Sequence, residues 1–150
     1  LYPVLAPEFP AFAVRPGAAY DPAAAMGVLA AALRHVPASD RWVASWLAGF
    51  LRTTGTWAAA RGDEPLARHL TAEALRVSPD DARSLHNLGV LVRATGDESG
   101  AIRWFRLAVA ADPGYVRAWG ALERSAQALG RPEEAAAARE RVQALGGTGP

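Results

Sequence analysis

The chain reads as all-α: a solenoid of paired antiparallel helices behind an extended, proline-rich N-terminal arm. Three observations predict this. Similar residues return every 34 positions along about two-thirds of the chain. Single glycines fall at that same spacing, each followed by acidic or proline residues. The first stretch, LYPVLAPEFPAFAVRPGAAY, mixes Pro3, Pro7, Pro10 and Pro16 with large apolar side chains.

A ruler of 34 residues placed at Ala48, Ala82 and Val116 brings the internal similarity into register. Its seventh and eighth positions hold Thr54–Gly55, Leu88–Gly89 and Leu122–Glu123. The fifteenth holds Gly62, Gly96 and Gly130, and the twentieth Ala67, Ala101 and Ala135. The twenty-seventh holds Ala74, Ala108 and Val142, with Pro79 and Pro113 at the thirty-second in the first two units. Repeats of this length are single supersecondary units that bury a face only by stacking. Small residues at the eighth and twentieth positions, such as Gly89 and Ala101, allow two antiparallel helices to approach closely. The glycines at the fifteenth position suit a left-handed helix end. The carboxylates after them (Asp63-Glu64-Pro65, Asp97-Glu98, Glu133-Glu134) suit the start of the next helix, where they cap free amides and face the positive end of the dipole. Ser78-Pro79-Asp80-Asp81 and Asp112-Pro113-Gly114 stop one helix and open the following unit. Helices are therefore expected near 41–61, 64–77, 81–95, 98–111, 115–129 and 132–145, with Leu88, Phe105, Ala108, Trp119 and Leu122 buried.

These positions resemble the tetratricopeptide repeat family, with three units at 48–81, 82–115 and 116–149. The middle unit carries the pattern best, in Leu85, Leu88-Gly89, Gly96-Asp97, Ala101, Phe105, Ala108 and Asp112-Pro113. The third adds Trp119 at the fourth position, where the family favours tryptophan. Thr54, in place of leucine, and Arg139, in place of an aromatic, make the outer units atypical, as terminal repeats tend to be. The resemblance implies a superhelix that binds other proteins and catalyses nothing.

Upstream of the array, residues 22–47 are expected to hold an N-terminal capping helix and the start of a long one. Asp21-Pro22 opens the first, with Val28, Leu29, Ala32, Leu33 and Val36 on one face, and Pro37 ends it. Ser39 or Asp40 then caps the helix that carries Trp42, Trp46, Phe50 and Trp57. Those aromatics are read as core that seals the first repeat, with a ligand cage or partner patch as the lesser alternative. The arm itself, residues 1–21, cannot be a helix or a central strand because of its prolines. Tyr2, Leu5, Phe9 and Phe12, with Val4 and Val14, are too apolar for a solvated linker. Burying six such side chains gains about 10 kcal/mol gross, and ordering the backbone costs a similar sum. The arm is therefore expected to order only against a well-fitting surface, on its own array or on a neighbouring subunit, since it can reach about 60 Å.

Composition narrows the chemistry. A formal charge of +1 leaves no bulk excess to hold nucleic acid or an anionic membrane. The absence of cysteine excludes disulfides and thiolate chemistry and leaves the compartment open. No apolar run reaches the ~20 residues of a membrane span. All basic residues are arginine and the one isoleucine is Ile102, a usage that resembles coding in a GC-rich bacterial genome. The start at Leu1, without methionine or a leader pattern, fits a processed chain or a piece of a longer one. His35, His69 and His86 lie on different helices without metal spacing and are read as surface or packed helical residues. No catalytic constellation, cofactor loop or metal site is expected, and the chain is read as no enzyme.

The first helices of such units line a concave face, which here is expected to carry Arg52, Arg83, His86, Val90, Arg93, Arg117, Arg124 and Gln127. Acidic residues sit at turns instead, so the groove should be more basic than the chain. The family's chaperone-tail receptors hold a terminal carboxylate with lysine, asparagine, asparagine, lysine and arginine, and the resemblance places Arg52, Thr56, Asn87, Arg117 and Ala121 at those positions. Arginine can hold a carboxylate in a fork. Three readings follow. The first, which the sequence favours, is a self-assembling scaffold, a head-to-tail homo-oligomer or filament whose arm docks on the next subunit. The second is a monomeric adaptor that takes acidic or C-terminal carboxylate peptides, and the third is the soluble part of a larger bacterial protein.

Overall fold

The chain divides into two units, Leu1–Val36 and Pro37–Pro150. The computed structural model describes residues 41–146, all within the second. The arm, with Tyr2, Leu5, Phe9 and Phe12, the expected helix at 22–36 and the expected cap at Ser39 or Asp40 lie outside the described residues. Six helices follow one another: α1 (Arg41–Ala60), α2 (Glu64–Val77), α3 (Ala82–Ala94), α4 (Glu98–Ala111), α5 (Val116–Ala128) and α6 (Pro132–Ala144). Each expected helix is present with its ends within about one residue.

The stops are where the sequence puts them. Gly62, Gly96 and Gly130 have φ of +80°, +84° and +65°, the left-handed conformation that ends α1, α3 and α5 without a side-chain penalty. The starts are more varied. Asp63, Asp81 and Asp97 each accept a backbone N–H three residues on, from Leu66, Ser84 and Gly100. In the third unit, by contrast, Tyr115 and Arg131 occupy the cap positions and make no side-chain cap bond. Glu133 and Glu134 there act on the helix dipole instead of capping.

The helices pair as α1/α2, α3/α4 and α5/α6, and successive pairs meet through α2/α3 and α4/α5, while α1 also touches α3. Contacts within a pair depend on the ruler's eighth, twentieth and twenty-fourth positions. At the twentieth, Ala67, Ala101 and Ala135 are buried, so the backbones can come close. Position eight faces position twenty-four, and each unit fills that contact differently. A Cβ on Gly89 would lie 2.6 Å from Cε1 of Phe105, so the ring occupies the space that a side chain would need. A Cβ on Gly55 would lie 3.1 Å from the Thr71 hydroxyl. In the third unit Glu123 stands in place of the glycine and Arg139 in place of the aromatic, and the two form an ion pair with Nε and Oε1 2.7 Å apart.

The core runs on between units. Leu85, Ile102, Phe105 and Val109 pack with Ala118, Ala121 and Leu122 across the second and third, while Ala58, Ala67 and Leu91 join the first to the second. Leu88, Phe105, Ala108 and Leu122 are buried as expected. Trp119 is not, and lies half-buried. Its indole N–H donates to the Pro113 carbonyl at 2.9 Å and Arg141 lies over the ring, so the polar edge stays at the rim. On the outside Arg106 makes a two-pronged contact with Glu134 (2.7 and 2.8 Å) that ties α4 to α6.

The reading of Trp46, Phe50 and Trp57 as core needs correction, while the side chain of Trp42 lies outside the described residues. Trp46, Phe50 and Trp57 are 60%, 39% and 37% exposed. α1 buries Leu47, Ala48, Leu51, Gly55 and Ala58, and the aromatics follow a neighbouring stripe that turns aside from α2. The helix also runs seven residues, 41–47, ahead of the position where the repeat begins, farther than the 14-residue α2 matches.

The Gly89 contact gives a test with an internal control. Gly89→Ala should destabilise the fold by about 1–3 kcal/mol, because the buried Phe105 ring must move, although alanine is the better helix former by about 1 kcal/mol. Gly120→Ala, whose Cβ would meet nothing nearer than the flexible end of Arg124 at 3.5 Å, should be neutral or stabilising. Denaturant melts of both variants check this, and the reverse order would refute the packing.

Candidate peptide groove

The first helix of each unit contributes one stretch of the groove. From α1 come Arg52 and Thr56, one turn apart on the same face. From α3 come Arg83 and Asn87, again one turn apart, and Arg117 opens α5 behind Tyr115. These six residues line a single cavity of about 340 Å³. Five of them are among the sequence-derived candidates, and one residue of each unit's first helix that meets the cavity is an arginine. Tyr115, the sixth, was read only as the start of a helix. Its place could have been found from its position one residue before Val116, where the chain turns from α4 back toward the groove.

A short hydrogen-bond chain organises the donors. Asn87 Nδ2 donates to the Thr56 hydroxyl at 3.1 Å, and that hydroxyl donates to the Arg52 carbonyl at 3.0 Å. The link ties α3 to α1 across the groove and leaves the second amide hydrogen of Asn87 available to a ligand. Arg52 is half-buried, with Nε 3.5 Å from Asp81 Oδ2. That distance gives an ion pair without a hydrogen bond, and Nε has no other partner. Asp81 is held in turn by capping α3 through Ser84, so it orients Arg52 and cannot swing away with it. Ala121, at the position of the fifth donor, is buried and offers none.

The remaining candidates form a second group beside the first. The His86 ring packs against Phe105 with centroids 5.6 Å apart and meets Tyr115 edge-on at 5.4 Å. The Arg93 guanidinium lies 5.7 Å from the centre of the Phe105 ring, and Arg117 and Arg124 lie on one face of α5. Burial holds the His86 pKa below its ordinary value, and the charges of Arg93, Arg117 and Arg124 push it the same way; a long contact to Asn87 Oδ1 opposes them. Val90 lines a small cleft with Gly55, Thr56 and Asn87. Gln127 departs from expectation: its amide donates to Glu123 at 3.2 Å and so serves the ion pair that replaces the third glycine.

Among the described residues no helix is long and apolar enough to cross a membrane, and no group of histidine and carboxylate side chains could hold a metal ion. The groove is a set of convergent hydrogen-bond donors and cations, without a nucleophile and base in contact.

No protein-family model and no curated protein matches the chain. Solved structures do. The first TPR of Spaghetti (RPAP3), bound to the HSP90 peptide SRMEEVD, superposes with a TM-score of 0.64 at 24% identity, over 67% of this chain and 82% of that one. The Sgt2 TPR domain from Aspergillus fumigatus gives 0.62 at 27% identity, over 68% of each chain. This is a three-unit tetratricopeptide-repeat fold. The TPR2B domain of yeast Sti1, solved as a pHsp70 complex, agrees at a TM-score of 0.61 and 22% identity, over 65% of this chain and 78% of that one.

The lowered His86 pKa sets a direction for the pH dependence of this fold. Below the ordinary value of 6.5 an unfolded chain takes up a proton that the folded one resists, so the folded state binds fewer protons. The contribution of His86 to stability is whole above that value and is lost as pH falls below it. Thermal melts from pH 7.5 to 5 should therefore fall less steeply for His86→Gln than for the parent chain, and parallel curves would contradict the burial of this imidazole.

Proposed function

We propose that this chain is a peptide-binding scaffold whose groove takes acidic segments, with a C-terminal carboxylate as the natural anchor. The observation that carries the proposal is the cavity in which Arg52, Arg83 and Arg117 converge with Thr56 and Asn87. Three guanidiniums and an amide, drawn from three successive first helices, offer donors, and among the described residues Asp81 is the one carboxylate paired with them. A carboxylate held by such a fork satisfies charge and geometry together. The Spaghetti (RPAP3) domain supports the reading by analogy, since its bound peptide ends in two glutamates, a valine and an aspartate. The analogy is not residue for residue, because Thr56 and Ala121 are weaker than the donors the family's receptors carry at those positions. No catalytic role is part of this reading.

Self-assembly, the reading that the sequence favours, draws less support. α6 turns Glu133, Glu140 and Gln143 outward with the small Ala136 and Ala137. Such polar and small side chains resemble the outer face of a terminal repeat. Head-to-tail stacking would press these groups against the exposed Trp46 and Phe50 at the other end, where they would lose water without gaining partners. The trans-docking arm rests on residues outside the described part.

Calorimetric titration of a short acidic peptide with a free C-terminus tests the proposal. Arg52→Ala with Arg117→Ala should weaken binding by tenfold or more, each removed contact being worth about 1 kcal/mol or more. Raising salt from about 0.05 to 0.5 M should weaken binding to the parent chain as screening shortens the range of its charges. Binding that ignores both salt and the double substitution would remove the basis of the proposal.

A further inference from the structure

A second concave surface adjoins the groove. Ser45, Trp46, Gly49, Phe50, Arg52 and Thr53 line a shallow cavity of about 380 Å³ on the N-terminal half of α1. Arg52 belongs to both cavities. Its Nε faces Asp81, whereas its Nη2 lies toward Gly49, 3.9 Å from where a Cβ would stand there. The guanidinium thus lies between groove and shelf. Trp46 and Phe50 stack with centroids 6.0 Å apart and planes inclined by 12°, forming one continuous apolar plate. The two side chains remain 60% and 39% exposed. Trp46 also sits on the seven-residue extension of α1 that the repeat pattern does not require.

An exposed, pre-stacked aromatic pair beside a cation calls for an occupant with an apolar body and an anionic neighbour. A solvated apolar chain alone would find no anchor here, and a nucleic acid would need a wider field of positive charge than the chain's +1 provides. Resting on the groove reading above, we propose that the shelf receives an aromatic side chain of the same acidic peptide. The spacing follows from the helix. Trp46 and Arg52 are six positions apart, about 9 Å along the axis, and the Arg52 guanidinium leans over Gly49 into the lining of the shelf, so an extended peptide spans from one to the other in about three residues. The favoured ligand therefore carries an aromatic residue about three positions from the carboxylate held at Arg52. Such a residue gains the plate by offset stacking and by removal of apolar area from water.

Three synthetic peptides with free C-termini separate the possibilities: Gly-Ser-Gly-Gly-Glu-Glu-Asp, Gly-Ser-Gly-Trp-Glu-Glu-Asp, and Trp-Gly-Ser-Gly-Glu-Glu-Asp. Calorimetry on the full chain should show the second binding about tenfold more tightly than the first, and the third no more than about twofold. In Trp46→Ala/Phe50→Ala, checked for unchanged helicity by circular dichroism, the ratio of second to first should fall to about one. Equal affinities for the first two peptides, or an advantage that survives the double substitution, would overturn the inference while leaving the groove reading in place. Failure of all three to bind would overturn both. Concentration-dependent sedimentation of the parent chain that the double substitution abolishes would assign the shelf to a second copy instead, and would also overturn it.

Discussion

The two helices of the middle repeat meet where Gly89 has no side chain and the Phe105 ring stands in its place. Neither residue can change alone. A side chain at 89 forces the fully buried Phe105 ring to shift and loosens its packing. A small residue at 105 would leave a void against bare backbone. The first unit meets the same demand with Gly55 and the Thr71 hydroxyl. The third inverts it, with Glu123 buried where the glycine would be and Arg139 reaching in from the rim. The ion pair is the more delicate solution, since a buried carboxylate is tolerated only while its partner and Gln127 stay in place. All three contacts fill the same place between the two helices of a pair and govern how closely those helices approach, which in turn supports the spacing of the first helices along the groove.

Function depends on this spacing because the groove's donors come from different units. Arg52 and Thr56, Arg83 and Asn87, and Arg117 are far apart in sequence and reach one cavity only if α1, α3 and α5 keep their register. The Asn87–Thr56 hydrogen bond ties two of those helices at the floor of the groove. Charge follows from the same arrangement. Carboxylates are used at helix starts, where Asp63, Asp81 and Asp97 cap, and the first-helix faces are left to arginine. A chain of almost zero net charge thereby acquires a basic strip.

What could be read in the sequence was what repeats. The helix ends, the glycines with positive φ and the buried alanines recur at the ruler's spacing and were legible from it. The arginines of the groove were legible because first-helix positions follow from the same register. Features particular to one unit were not. Trp46 and Phe50 have the size of core residues, and period alone does not say that their stripe lies beside the buried one of Leu47, Leu51 and Ala58. Trp119 sits at a favoured position, yet its N–H needs an acceptor, and the Pro113 carbonyl at the rim supplies it. Tyr115 shares the ruler's thirty-fourth position, the cap of a first helix, with Asp81, but the exchange of a capping carboxylate for an aromatic ring hides that equivalence. The Glu123–Arg139 pair was visible as two separate departures, and comparing positions eight and twenty-four across the ruler would have joined them into one exchange of a glycine–aromatic contact for an ion pair.

The most direct test of this account is a nuclear Overhauser measurement between the Phe105 ring and the Gly89 α-hydrogens in the folded chain. One of those hydrogens points where a Cβ would lie 2.6 Å from Cε1. The account predicts a strong cross-peak, with that hydrogen shifted by the ring current and its geminal partner much less affected. Two equivalent α-hydrogens at ordinary shifts, with no cross-peak to the ring, would contradict it, and the alignment of the groove's donors would then lack its physical cause.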